Sequence, residues 1–388
     1  MIAIIKKQIL ETLEDKVLFT KYPEIINGKD LGEIHRFHFQ EGNYSDQTII
    51  AETMRGLALA IATGTTFAYP IQAPIEQIKF WENMIGKKAN LLIYDNSNSK
   101  GYTKLMNSLT PSSLHVMHPY DMFNDNIYNT NPKILEFLNG KENLHFLTEN
   151  TPQRKVIKTT NLNEEVNGFK EGYVLKKIHG SSSGDGVRII KNEDINFLDE
   201  FLKDTTEIIL EEFINPIENY GMQFFIDKNS EVHYLGFNKQ YTTKEGEFEA
   251  VSIIYSEEPD KEMYNIALAA AKNVASHNYE GWLGFDILKS SEDKYYIIDA
   301  NIRMTAATSA IMLKEILQPL LGNYVYLGVN EAYAENPSEI IQIISDLGGV
   351  PLCISNESYG KYKYYAMYGG NTFTDAEKSW KTHLTSIC

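Results

Sequence analysis

The sequence predicts a mixed α/β (α+β) protein of several units, and three features carry that prediction. Helical and strand-like segments alternate over the N-terminal third. Short strands joined by turn-like tripeptides fill much of residues 173–256. A later strand pair, WLGFDIL and YYIIDAN, places Asp residues among apolar ones. At 388 residues the chain has room for about two to three units of roughly 100–200 residues each, with a sizeable core. Its 43% hydrophobic and 23% charged content is that of a folded globular protein. The formal net charge of −16 argues against nucleic acid or an anionic membrane as partner, because both need clustered positive charge. Two cysteines, Cys353 and Cys388, make neither a disulfide framework nor a metal spacing. The opening MIAIIKKQILETLEDK has no apolar signal region, and no run approaches the roughly 18 apolar residues of a membrane span. The cytoplasm is therefore the expected compartment.

Taken in order, residues 1–130 read as an N-terminal α/β unit. IAETMRGLALAIAT, 50–63, reads as one buried helix. Leu91–Tyr94 reads as a buried strand that runs into Asp95 and a polar cluster, at the strand end where open α/β sheets bind ligands. The segment 111–132, with Pro111, Pro119 and Pro132, reads as loop and boundary. Residues 131–215 form a second unit, with a helix at KILEFLNG and strands at YVLKKI, VRII and EIILEEFI. A third unit, 216–345, begins with antiparallel strands GMQFFID, EVHYLGF and EFEAVSIIY, separated by the turns KNS and KEG. Residues 260–278 follow as an amphipathic helix with Met263, Ile266, Ala267, Ala270 and Val274 on one face. The pair WLGFDIL and YYIIDAN flanks the turn KSSEDK, and TAATSA leads into the helix IMLKEIL. The Tyr- and Gly-rich tail, 346–388, reads as a small C-terminal β element.

Three segments suggest chemistry. In YVLKKIHGSSSGDGV, a strand bearing Lys176 and Lys177 runs into a loop of Gly180, Ser181, Ser182, Ser183, Gly184 and Gly186. Glycines let backbone N–H groups turn toward an anion, hydroxyls add donors and the lysine adds charge; the bland alternative is a flexible hairpin loop. In EIILEEFINPIENYGMQ, a strand ends in Glu211 and Glu212 and enters a proline turn. Such a hinge presents backbone groups to an adenine edge and carboxylates to its amine and to a ribose, although solvated acids at a strand end would look alike. In GWLGFDILKSSEDKYYIIDANIRMT, Asp286 and Asp299 lie on neighbouring strands, with Asn301 and Arg303 at alternate positions after Asp299. Alternation sends Asp299, Asn301 and Arg303 the same way. A hairpin brings Asp286 beside Asp299, and two close carboxylates call for a cation. Asp, Asp and Asn are hard oxygen ligands suited to Mg²⁺. Arg303 supplies a permanent cation for a carboxylate or a transferring phosphoryl group.

In this order, the three segments resemble the ATP-grasp superfamily over roughly residues 130–320. In finer detail they are similar to the amino-acid and peptide ligases with a preceding α/β domain, including those of the pheganomycin type. The resemblance implies an ATP-grasp fold with a preceding α/β domain and a small C-terminal β element. It divides 131–215 and 216–345 into a small subdomain with the Gly-rich lid and a large one with the metal site. It implies ATP and Mg²⁺ as cofactors, two ions, with Mn²⁺ as a substitute. Lys176 matches the phosphate-contacting lysine and Gly180 to Gly186 match the lid. Lys133 matches the upstream nucleotide lysine, with Lys155 as competitor. Glu211 matches the adenine-side acid, Glu212 and Phe213 the hinge, and Glu218 the ribose carboxylate. Asp286, Asp299 and Asn301 match the metal ligands, and Arg303 an arginine near an acyl phosphate. Asp299 stands where Glu is commoner, and Lys177 where Pro usually follows the lysine. The implied activity joins a carboxylate to an amine through an acyl phosphate. The substrate would be an amino acid, a peptide or a carrier-bound acyl group, and the assembly a homodimer. A small-molecule kinase and a non-catalytic nucleotide-binding protein are the competing classes. The set Asp286, Asp299, Asn301 and Arg303 argues against the latter.

Other features read as structural. His115 and His118 sit beside Pro119 in a loop without a third ligand. His35 and His38 fall on opposite sides of a strand-like segment. His179 reads as a loop histidine, and Cys353 lies in an apolar run and belongs in a core.

Overall fold

Three β-sheets organise the chain in the computed structural model, which describes residues 7–21, 47–116, 119–120, 122–166, 169, 171–178, 186–191, 198–203, 205–242 and 248–387. The first is a four-stranded parallel sheet of β1 (Val17–Phe19), β2 (Thr66–Pro70), β3 (Leu91–Tyr94) and β4 (Leu114–Val116), in the order β3-β2-β1-β4. The strand predicted at Leu91–Tyr94 is β3, but it is not buried: it lies at the sheet edge, with Ile93 exposed and only Tyr94 buried. The helix expected over 50–63 is two helices, Gln47–Met54 and Leu57–Thr63. They break at Arg55–Gly56, where a Cβ on Gly56 would stand 2.8 Å from Thr20 Cγ2 and 3.2 Å from the Phe67 ring. The glycine lets the chain turn against β1 and β2. A second difference is β4, which lies inside the segment read as loop. Flanking prolines hid a three-residue strand. His115, on that strand, is buried, and desolvation first and the Lys16 charge second push its pKa down to about 3. It is a neutral core histidine; His118, His35, His38, His179 and Cys388 lie outside the described residues.

The second sheet is antiparallel and four-stranded: β5 (Arg154–Lys158), β6 (Tyr173–Lys177), β7 (Val187–Ile190) and β8 (Glu207–Glu212), in the order β5-β8-β6-β7. One face closes over its own small core of Ile157, Leu175, Leu198, Phe201, Ile208 and Leu210.

The third sheet has eight antiparallel strands. These are β9 (Pro216–Ile226), β10 (Val232–Thr242), β11 (Phe248–Ile254), β12 (Gly281–Ser290), β13 (Tyr295–Asn301), β14 (Tyr324–Tyr333), β15 (Val350–Ser358) and β16 (Lys361–Gly370). The order is β13-β12-β9-β10-β11-β14-β16-β15. The β-rich tail therefore continues this sheet through β14 and β16. Period-two alternation gives each strand two faces. Helix Lys261–Ser276 lays Met263, Ala267, Ala270 and Val274 against one face, onto Met222, Phe224, Phe285 and Ile287. Its N-cap Asp260 accepts from the N–H groups of Glu262 and Met263. On the other face Phe225, Trp282, Val251, Ile253, Val325 and Leu327 share a core with the N-terminal helices and with Thr308–Met312 and Lys314–Leu321. Buried Cys353 is in that core, as the sequence predicts. Among the described residues no helix is long and apolar enough to cross a membrane.

Helix Lys314–Leu321 ends hard against β16. A Cβ on Gly369 would lie 1.7 Å from the Leu321 carbonyl oxygen and 2.3 Å from its carbon. That neighbour is backbone and cannot swing aside, so Gly369→Ala should cost about 3 kcal/mol or more. Gly86→Ala is the control: φ is +74° and nothing lies within 4 Å of the added Cβ, so it should cost only ~1 kcal/mol of backbone strain. Urea unfolding of both variants checks the difference.

Candidate active site

The face of the large sheet that carries Phe225 and Trp282 changes character along its strands. In register, Asp299 of β13 faces Asp286 of β12, Asp286 faces Gly221 of β9, and Gly221 faces Asn238 of β10. Two residues along, Asn301, Gly284 and Gln223 form the next row. Beyond them on the same face come Trp282 and Phe225, already in the apolar core. One end of the face is thus sealed by helices. The other is a polar basin of carboxylates and carboxamides over glycines.

The hairpin predicted from KSSEDK places Asp286 directly opposite Asp299. Gln240 Nε2 donates to Asp286 Oδ1 at 2.6 Å, and Asn301 Nδ2 donates to Asp286 Oδ2 at 3.1 Å. The Ala300 N–H donates to Asp299 Oδ1 at 3.0 Å. Burial first and the facing Asp299 charge second push the Asp286 carboxyl up to about 6, while the amide donors and the Arg303 charge pull the other way. Arg303 is therefore within electrostatic reach of this pair, and its Nη1 donates to the Met304 carbonyl at 3.1 Å. Register shifts beside Asp286, from Asp286↔Asp299 to Ile287↔Ile297, which leaves Ile298 as a bulge residue.

That bulge is where the small sheet meets the large one. Lys176 of β6 donates from Nζ to the Ile298 carbonyl at 2.8 Å and pairs with Glu211 Oε1 at 2.7 Å. Glu211 is also flanked by Arg154 of β5, whose Nη1 lies 3.3 Å from Oε2. Arg154 Nη2 in turn donates to the Lys141 carbonyl at 2.7 Å. Register explains the grouping: Arg154, Glu211 and Val174 form one row, with Lys176 two residues on.

The sequence-derived residues separate into two sets. Lys176, Glu211, Asp286, Asp299, Asn301 and Arg303 come together at the junction of the sheets. Phe213 is buried with Lys191 Nζ 4.3 Å from its ring centroid, and Glu212 is exposed at the end of β8. Gly186 stands at the root of the expected lid, its carbonyl accepting from the Lys177 N–H at 2.8 Å. Gly180, Ser181, Ser182, Ser183 and Gly184 lie outside the described residues. Glu218 is not brought to the carboxylates. It faces Lys289 in register, on the opposite face of β9 from Gly221, and Lys239 and Tyr220 each donate to it at 2.6 Å. Lys133 is exposed at the start of helix Pro132–Asn139. Lys155 faces Leu210, on the other side of β5 from Arg154, and pairs with Glu165. Sequence reading missed Arg154, Lys141, Gln223, Asn238 and Gln240. The alternation N-x-G-x-Q-x-F at 219–225 and N-x-Q at 238–240 was the available signal for a polar strand end.

Asp286, Asp299 and Asn301 fit a hard divalent cation. Two opposed carboxylates carry more charge than neutral amides compensate, and Asn301, having turned its N–H to Asp286, keeps its carbonyl oxygen for another partner.

The fold is similar to that of ATP-grasp proteins. Residues 152–301 match the model of a family described as L-aspartate–L-methionine ligase, ATP grasp, so the match is to carboxylate–amine ligases of that fold. Among solved structures, an N5-carboxyaminoimidazole ribonucleotide synthetase in its ADP complex is similar at 14% identity, covering 85% of this chain and 93% of that one, with TM-score 0.58. Carboxyaminoimidazole ribonucleotide synthase of Aspergillus clavatus, complexed with ATP, is 12% identical over 86% and 95%, with TM-score 0.59. The L-amino acid ligase of Bacillus licheniformis is 12% identical over 85% and 95%, with TM-score 0.56.

Because Asp286 is held near 6 instead of 3.8, the metal-free fold favours its protonated form. That contribution is complete below pH ~4 and is lost as pH rises through 6. Asp299→Asn removes one cause of the shift. In EDTA at pH 7.5 the variant should be more stable than the parent by ~1 kcal/mol, roughly one pKa unit, and the gain should vanish below pH 4. Added Mg²⁺ should stabilise the parent only. Urea midpoints across pH measure both effects.

Proposed function

We propose that this protein is an ATP-dependent ligase that joins an amino acid, through its carboxylate, to the amine of a second amino acid or short peptide. The observation that carries the reading is the meeting of Lys176 with the Asp286–Asp299 hairpin at the Ile298 bulge. It sets a phosphate-seeking cation beside a site for divalent ions, in a fold whose matched family is named for joining two amino acids. ATP and a divalent cation are the cofactors; two Mg²⁺ ions, replaceable by Mn²⁺, are proposed.

The chemistry balances in two displacements. A carboxylate oxygen bonds to the γ-phosphorus of ATP as the bond to the bridging oxygen breaks, giving an acyl phosphate and ADP. The amine nitrogen then bonds to the acyl carbon, inorganic phosphate leaves, and the nitrogen gives up one proton. Catalysis of such transfers is mainly positioning and charge neutralisation. Lys176 would leave Glu211 for the nucleotide phosphates, and Arg154 would keep Glu211 paired when it does. Arg303 would orient the acyl group and offset its charge. Asp286, Asp299 and Asn301 would hold the divalent ions, which when bound neutralise phosphate charge. The Gly180–Gly186 loop is proposed as the lid that keeps water from the acyl phosphate.

A coupled assay of ADP release across pairs of the common amino acids, with mass spectrometry of products, tests the reading. The expected product has the mass of two substrates less one water, and Lys176→Met should lower its formation by about 100-fold. A phosphorylated substrate without condensation would establish the kinase reading in its place.

A further inference from the structure

We propose that Gln240 is a positioning residue for Asp286, reaching it across β9. The proposal rests on the reading of Asp286 as a cation ligand.

Gln240 belongs to β10 and Asp286 to β12, and β9 runs between them. Neighbouring strands are about 4.8 Å apart, so the Gln240 amide must cross a whole strand to donate to Asp286 Oδ1 at 2.6 Å. The β9 residue in register with Asp286 is Gly221, which on its other side faces Asn238, two residues before Gln240 on β10. Gly221 is not among the positive-φ glycines, so its backbone does not require glycine. What requires it is space: a Cβ there would stand 2.7 Å from Asn238 Oδ1 and 3.0 Å from Asn238 Nδ2. Any side chain would displace the Asn238 carboxamide that lies over it.

The choice of a carboxamide also has a reason. Asp286 is gripped at both oxygens, by Gln240 and by Asn301. Both are neutral donors, so they fix the carboxylate's rotation without cancelling the charge a cation would seek. A lysine in the same place would fix it and neutralise it. Lys239 is one residue away, but it points to the opposite face and pairs with Glu218. The strand thus directs its ammonium away from the basin and its amide into it. Nothing else in the proposed mechanism uses Gln240.

Gln240→Met keeps length and volume while removing the donor; Gly221→Ala leaves Gln240 intact and crowds β9 between Asn238 and Asp286. Mn²⁺ binding to the full chain, followed by electron paramagnetic resonance without nucleotide, is the main readout. Each variant should bind Mn²⁺ about tenfold or more weakly, while affinity for a fluorescent ATP analogue in EDTA stays at the parent level. A defect in the pocket as a whole would lower both. Wild-type Mn²⁺ affinity in either folded variant overturns the proposal, and Gly221→Ala carries the test if Gln240→Met does not fold. Asp286→Asn separates the two levels. If it also binds Mn²⁺ normally, the cation reading itself is wrong; if it loses Mn²⁺ while Gln240→Met does not, only the positioning role fails.

Discussion

Asp286 and Asp299 face each other across one pair of strands, and the repulsion between them is the constraint that their surroundings answer. Asp286 takes hydrogen bonds from two neutral amides, Gln240 and Asn301. The Arg303 charge acts on it from the end of β13. No lysine among the described ion pairs contacts either carboxylate. Lys176, the lysine that reaches this hairpin, stops at the Ile298 carbonyl and gives its charge to Glu211. A cation that paired with the aspartates in the fold would relieve the repulsion but would also fill the place proposed for a metal ion. The hairpin keeps unspent charge, and a divalent ion bound there would release it.

Such a basin can persist because the same sheet face is secured elsewhere. Phe225, Trp282, Val251, Ile253, Val325 and Leu327 are almost wholly buried, each contributing about 1.5–3 kcal/mol. The electrostatic cost at the Asp286 end is of the order of one such side chain. Glycines at 221 and 284 let polar side chains lie flat: a Cβ at 284 would sit 2.6 Å from Gln223 Oε1 and 2.8 Å from Thr305 Cγ2. Thr305 donates to Gln223 Oε1 at 3.0 Å, which fixes the loop that carries Arg303.

The small sheet contributes differently. Its core is its own, and its polar grip on the large sheet at this point runs through one charged cluster, Arg154–Glu211–Lys176. Glu211 is buried between two cations, and burying a carboxylate without partners would be costly. A pair of cations around one acid lets one of them move to a new anion while the other keeps the acid compensated. That arrangement suits a cleft in which a phosphate is bound and released.

The sequence by itself determined the elements whose signals are local. Alternation and turn tripeptides gave β9 to β13, and helical spacing gave Lys261–Ser276. The carboxylate hairpin was legible because a short polar turn between two apolar strands leaves little choice of register. The resemblance to ATP-grasp proteins rested on these same segments. Tertiary structure decided what depends on residues distant in sequence. It split the helix at Arg55–Gly56, because Gly56 must pass close to Thr20 and Phe67. It made His115 a strand residue, because β1 pairs with the segment between the prolines. It joined the tail to the large sheet through β14, and it sent Glu218 to the face opposite the aspartates. It also brought Arg154 to Glu211 and Gln240 to Asp286. A linear sequence records which residues can ionise or donate; which of them share a row follows only from the pairing of strands, since one step of register reverses every side chain.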